Sequence, residues 1–115
     1  MRRTGAIEDN DLVELLRKAA YHLYYVRKAD AIGDEITSAE NDMKFERVAS
    51  KLCRQLGLEY SDSIVEVLEM LGIDDYDSPK WKRITDCDIY RAAATVRTHE
   101  LKVKEFLRKR YDNKK

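Results

Sequence analysis

Leu12, Leu16, Ala19, Leu23 and Val26 recur at intervals of four, three, four and three residues, the spacing that gathers apolar side chains on one face of an α-helix. Asp11 and Glu14 form a capping pair before them, and Gly33 can close the helix in the left-handed conformation, so a first helix is predicted over about 12–30. Ser38 is placed to cap a second helix with the stripe Phe45, Val48, Ala49, Leu52 and Leu56. The next two boundaries echo each other. Leu56-Gly57-Leu58-Glu59 and Leu71-Gly72-Ile73-Asp74 each place a terminating glycine between a core residue and an apolar residue that folds back. Between them, Ser63 and Glu66 read as a capping box, and Ile64, Val67, Leu68 and Leu71 give a short third helix its apolar face. Asp62-Ser63 and Asp77-Ser78 also match across the same offset, which marks a reused local device and not a repeat architecture.

Ser78-Pro79 predicts a cap and a first-turn proline, opening a short turn over about 79–83 that carries Trp81. Thr85 with Asp88, and Ile84 with Ile89, predict a capped and stapled start to the last helix. Ile89, Ala92, Val96, His99, Val103 and Phe106 then step along one stripe without a Gly or Pro, favouring a single helix over about 86–111. Thr98 offers an alternative cap for a separate fifth helix. At 1.5 Å per residue the last helix is roughly 39 Å long and the first roughly 29 Å, so the two are expected to pair as an antiparallel spine. The pattern predicts an all-α fold: one domain over 1–115, a small bundle of four to five helices with a long C-terminal helix and flexible ends at about 1–8 and 112–115.

Composition agrees with that reading. The chain has 115 residues, 43% hydrophobic and 38% charged, with four glycines and one proline, so a single helix-rich core is expected and extended disorder is not. No apolar run approaches the roughly 18 residues of a membrane span, and Arg2-Arg3 is followed by Glu8, Asp9 and Asp11 where a signal sequence would be apolar; a cytoplasmic location is expected. Cys53 and Cys87 lie outside any paired motif and read as reduced, buried thiols.

Charge is distributed unevenly along the chain. Residues 57–79 contain seven acids and no Lys or Arg, whereas residues 80–115 contain twelve basic residues against five acidic ones. A formal net charge of zero therefore conceals two opposed segments. The acidic one, with Glu59, Glu66, Glu69, Asp74, Asp75 and Asp77 beside Tyr76 and Trp81, is the leading candidate for a protein-binding surface. The expected partner is a larger protein with a basic surface. If that surface normally holds nucleic acid, the carboxylates would imitate phosphates. On the last helix, Arg97, Lys104 and Arg108 project along one flank of the stripe and Lys102 and Lys109 along the other, with Arg91. These two basic rails make a nucleic-acid-associated accessory protein the alternative. Tyr24 and Tyr25 are additional candidate interface anchors.

Other chemistries find little in the sequence. His22, Cys53, Cys87 and His99 lack the close pairs of a structural zinc site, and neither histidine has a local nucleophile. Glu66 and Glu69 match half of the acidic constellation of an all-helical Mg²⁺-dependent pyrophosphohydrolase, but Asp86 and Asp88 complete it poorly. A helix-turn-helix across Gly57 would present a third helix without cations to DNA phosphates. A non-enzymatic adaptor or inhibitor without cofactor or metal is the expectation.

Overall fold

The computed structural model describes residues 11–73 and 75–113. These form four α-helices, α1 (Leu12–Ile32), α2 (Glu35–Leu56), α3 (Asp62–Met70) and α4 (Asp86–Asn113), with a 3₁₀ turn at Pro79–Lys82 and no strand among the described residues. The all-α bundle with a long terminal helix is as expected. Of the expected flexible ends, 1–8 and 114–115 lie outside the described residues.

Glycine in the left-handed region stops three helices, at Gly33 (φ 76°), Gly57 (φ 71°) and Gly72 (φ 70°). At Gly57 and Gly72 the following N–H returns to the carbonyl five residues back, Leu58 to Cys53 (3.0 Å) and Ile73 to Leu68 (3.1 Å), while both side chains join the core. This is the paired stop that the echo predicts. At Gly33 the same bond runs from Asp34 to Ala29 (2.9 Å), but Asp34 then accepts from the Thr37 N–H (3.1 Å) and so opens α2. One aspartate ends one helix and begins the next. Ser38, expected as the cap, lies inside α2, its hydroxyl donating to Asp30 at 2.5 Å.

Because only Gly33 and Asp34 separate them, α1 and α2 fold into a tight antiparallel hairpin, the most extensive helix pairing in the molecule. The expected spine of α1 with the last helix is thereby replaced. Leu12, Leu16, Ala19, Phe45, Ala49, Leu52 and Leu56 fill the hairpin, and Ile64, Val67, Leu68, Ile89, Ala93 and Val96 complete one core from α3 and α4. The 3₁₀ turn buries Trp81, capped as predicted by Ser78, whose hydroxyl accepts from the Lys80 N–H. Thr85 and Asp88 exchange the predicted bonds at the start of α4.

The stripe on α4 departs from prediction past Val96. It continues to Glu100, which is buried, and not to His99, which is exposed; from Leu101 to Tyr111 every side chain is exposed. Thr98 bonds the Ala94 carbonyl within the unbroken helix and caps nothing. At 28 residues α4 is about 42 Å long, while the nine-residue α3 beside it spans about 14 Å, so the last three turns of α4 overhang the bundle as an arm.

Candidate interaction surface

The base of the arm is organised around Glu100. Its carboxylate, 7% exposed, accepts from the Glu59 N–H (3.1 and 3.2 Å to its two oxygens), from the Tyr60 N–H (3.3 Å) and from the Ser63 hydroxyl. The α2–α3 connection is thus held by a side chain 40 positions away. Ser63 turns inward to Glu100, so the expected capping box with Glu66 is not formed; α3 begins at Asp62 behind Ser61, which makes no side-chain cap bond.

Around this anchor the acidic and basic segments meet. Lys104 Nζ donates to Glu59, and His99 Nδ1 stands 2.6 Å from Glu66 Oε1. The bond to Glu59 raises the Lys104 pKa above its ordinary value. Arg97 lies over the end of α2, where a methyl group on Gly57 would meet its Nη1 at 2.7 Å. Such a cation suits the negative end of a helix. Of the six cations assigned to the basic rails, Arg97 lies over the end of α2, Lys104 is bonded within the chain, Arg91 is exposed beside the end of α3, and Lys102, Arg108 and Lys109 project from the arm.

The residues expected to form one acidic, aromatic-edged surface are dispersed. Trp81 is 5% exposed in the core, its indole N–H donating to the Asp75 carbonyl at 2.9 Å. Tyr76 is half-buried among Tyr21, Tyr24 and Tyr25, with ring centroids 4.8, 5.6 and 6.2 Å away, and its carbonyl accepts from Arg17 Nε at 2.8 Å. A hydrogen bond with Tyr25, then burial, push the Tyr76 phenol up to about 12. Tyr24 and Tyr25 thus belong to a tyrosine cluster that fixes the 75–78 segment against α1. Asp77 is raised above the ordinary carboxylate range by a hydrogen bond and repulsion from Asp75. Glu69 is exposed on α3, and Asp74 lies outside the described residues.

Sequence reasoning missed the arm's free face. Val103, Phe106, Leu107 and Tyr111 are 54%, 61%, 56% and 72% exposed, and their spacing continues the face that Val96 and Glu100 bury. Lys102, Lys104, Arg108 and Lys109 share the arm with this ridge and Arg110 falls on its face, against a single acid, Glu105, a formal net of +4 over residues 101–111. Where the ridge meets the bundle, a cleft of about 270 Å³ is lined by Tyr60, Asp62, Glu66, His99 and Val103. Tyr60 is half exposed there.

Among the described residues no cluster of three His, Cys, Asp or Glu side chains is arranged to hold a metal ion, and no helix is long and apolar enough to cross a membrane. Both cysteines are free thiols; Cys53 is buried and donates to the Tyr60 carbonyl at 3.3 Å, whereas Cys87, expected inside, is exposed. No family model matches the chain, and no similarity to a curated protein or to a solved structure is found.

Proposed function

We propose that this protein is a non-enzymatic protein-binding module, an adaptor or inhibitor, that docks through the overhanging end of α4. The observation that carries this reading is the exposed ridge of Val103, Phe106, Leu107 and Tyr111 set among five cations. Single exposed apolar residues are ordinary, but a contiguous row rimmed by charge is the anatomy of a docking element. The surrounding +4 favours an acidic partner surface. A docking site on the acidic 57–79 segment with Tyr76 and Trp81 as its aromatic anchors draws less support, because Trp81 is buried in the core and Tyr76 packs in the tyrosine cluster on α1. Nucleic acid would engage Lys102, Arg108 and Lys109 while leaving the ridge between them in water.

The test is capture from the native host's lysate, with and without nuclease, on the wild-type chain and on Leu107→Glu. The ridge position is exposed, so the variant is expected to fold, with its thermal melting curve as the control. Protein retained by the wild type in both lysates, released by salt and absent from the variant is the expected result. Equal retention on both baits, or retention abolished by nuclease, overturns the reading.

A further inference from the structure

We infer that the acidic surface gripped by the arm belongs to a second copy of this chain, in a two-fold dimer where each arm lies in the other copy's corner between α3 and the base of α4; this rests on the docking reading above. Charge selects the mode. Pairing arm with arm would set two basic segments against each other, whereas pairing arm with corner brings Lys102 and Lys109 to Asp62 and Glu66. Within one copy the same attraction is already visible, since Lys104 reaches Glu59 across the corner.

Geometry makes the exchange reciprocal. Val103 belongs both to the ridge and to the cleft with Tyr60, Asp62 and Glu66, so donor and acceptor surfaces adjoin on one side of the molecule. An axis passing near Val103 places each ridge over the other's cleft, and one operation satisfies both contacts, as a self-complementary interface requires. The half-exposed Tyr60 would then cover part of the incoming ridge. Phe106, Leu107, Tyr111, Val103 and Tyr60, with the stems of the flanking lysines, offer on the order of 600 Å² per copy, the lower edge of the about 600–1,000 Å² per partner in stable interfaces. Interfaces at this low end of the size range are commonly weak and reversible, and a reversible dimer is expected.

The experiment reverses charge on each surface separately and measures mass by sedimentation over about 1–200 µM, a range that brackets micromolar association. The arm variant is Lys102→Glu with Lys109→Glu; the corner variant is Asp62→Lys with Glu66→Lys. Each alone sets like charges against each other and is expected to be monomeric. Mixed one to one, the glutamates placed at 102 and 109 of one copy meet the lysines placed at 62 and 66 of the other, and the native Lys102 and Lys109 meet the native Asp62 and Glu66, so a heterodimer is expected, and added salt should weaken it. Leu107→Glu is expected to abolish the wild-type dimer. A wild-type monomer throughout the range overturns the inference, as does a corner variant that dimerises like wild type or a mixture that stays monomeric. If the wild type is monomeric but Leu107→Glu still abolishes capture of another protein, only the second copy is lost; if Leu107→Glu changes neither mass nor capture, the docking reading fails with it.

Discussion

Replacing Glu100 by alanine removes the acceptor for the backbone N–H groups of Glu59 and Tyr60 and for the Ser63 hydroxyl. Ser63 can turn to another acceptor, but the two amides are fixed by the Gly57 stop and by the start of α3. A buried donor left without a partner costs roughly 1–3 kcal/mol, and the lost bonds were to a charged group, at the upper end of that scale. Allowing for partial access of water to the linker, Glu100→Ala is expected to lower stability by about 3–4 kcal/mol, a large share of the roughly 5–15 kcal/mol of a typical domain. Glu100→Gln keeps one carbonyl oxygen and should cost about half as much. Ser63→Ala removes a donor along with its need for a partner and should cost about 1 kcal/mol. Because the two residues share a bond, their effects should be less than additive, with a coupling of about 1 kcal/mol in the double variant. Urea unfolding followed by circular dichroism gives these differences, and native-state hydrogen exchange at Glu59 and Tyr60 reports the bonds directly. If Glu100→Ala unfolds within about 0.5 kcal/mol of wild type, or the two amides exchange as fast as an open loop in the wild-type chain, the anchor assigned to Glu100 is wrong.

Three further outcomes follow from particular contacts. Gly33→Ala meets no atom within 4 Å and should cost only the left-handed backbone penalty of about 1–2 kcal/mol, whereas Gly57→Ala also displaces Arg97, so its midpoint in urea should fall further and an Arg97→Ala background should erase the excess. The Asp34 carboxyl is held below its usual 3.8 chiefly by the side-chain hydrogen bond of Thr37 and then by its N–H; a depressed folded pKa stabilises above the unfolded value and is lost as pH falls through the folded one, so the stability gap between wild type and Asp34→Asn should shift against wild type on acidification below about pH 4. Burial pushes the Cys53 thiol up to about 11 while Cys87 is exposed, so a thiol reagent at neutral pH should modify Cys87 quickly and Cys53 only at the rate of unfolding, and Cys87→Ser should abolish the fast phase.

The local signals in the sequence survive folding where their partners are near in the chain. The stops at Gly57 and Gly72, the Ser78-Pro79 turn and the Thr85–Asp88 cap all depend on atoms within five residues, and each is found in place. The failures are of another kind. Ser63 followed by Glu66 satisfies a local rule, yet Ser63 answers to Glu100, 37 positions away. Ala92, Val96, His99 and Val103 mark one stripe along α4, but Ala93, Val96, Glu100 and Val103 have equally good spacing. The first places a histidine in the core and the second a carboxylate, and composition alone favours the histidine. What could have pointed to Glu100 is that a lone acid on a core-facing register needs donors, and the Gly57 stop leaves two free N–H groups just beyond it. Where the acidic surface would lie was illegible for the same reason, because Trp81 enters the core and Tyr76 is drawn against α1 by Tyr21, Tyr24 and Tyr25.

The separation of charge along the chain becomes a different separation in space. Because α4 runs back past the α2–α3 connection, its side chains meet that connection: Arg97 lies over Gly57, His99 bonds Glu66, and Lys104 pairs with Glu59. Beyond that point the bundle ends and the helix does not. A terminal helix that merely trailed into solvent would gain nothing from apolar side chains on the face its core stripe had occupied, and each such side chain would add to the hazard of nonspecific association. Here that face remains apolar for two further turns and the cations close around it, which keeps the exposed row from indiscriminate contact while leaving it open to an acidic, shaped surface. The length of α4 and the burial of Glu100 are in this sense one feature: the carboxylate fixes where the helix leaves the bundle, and therefore which side chains are carried outward.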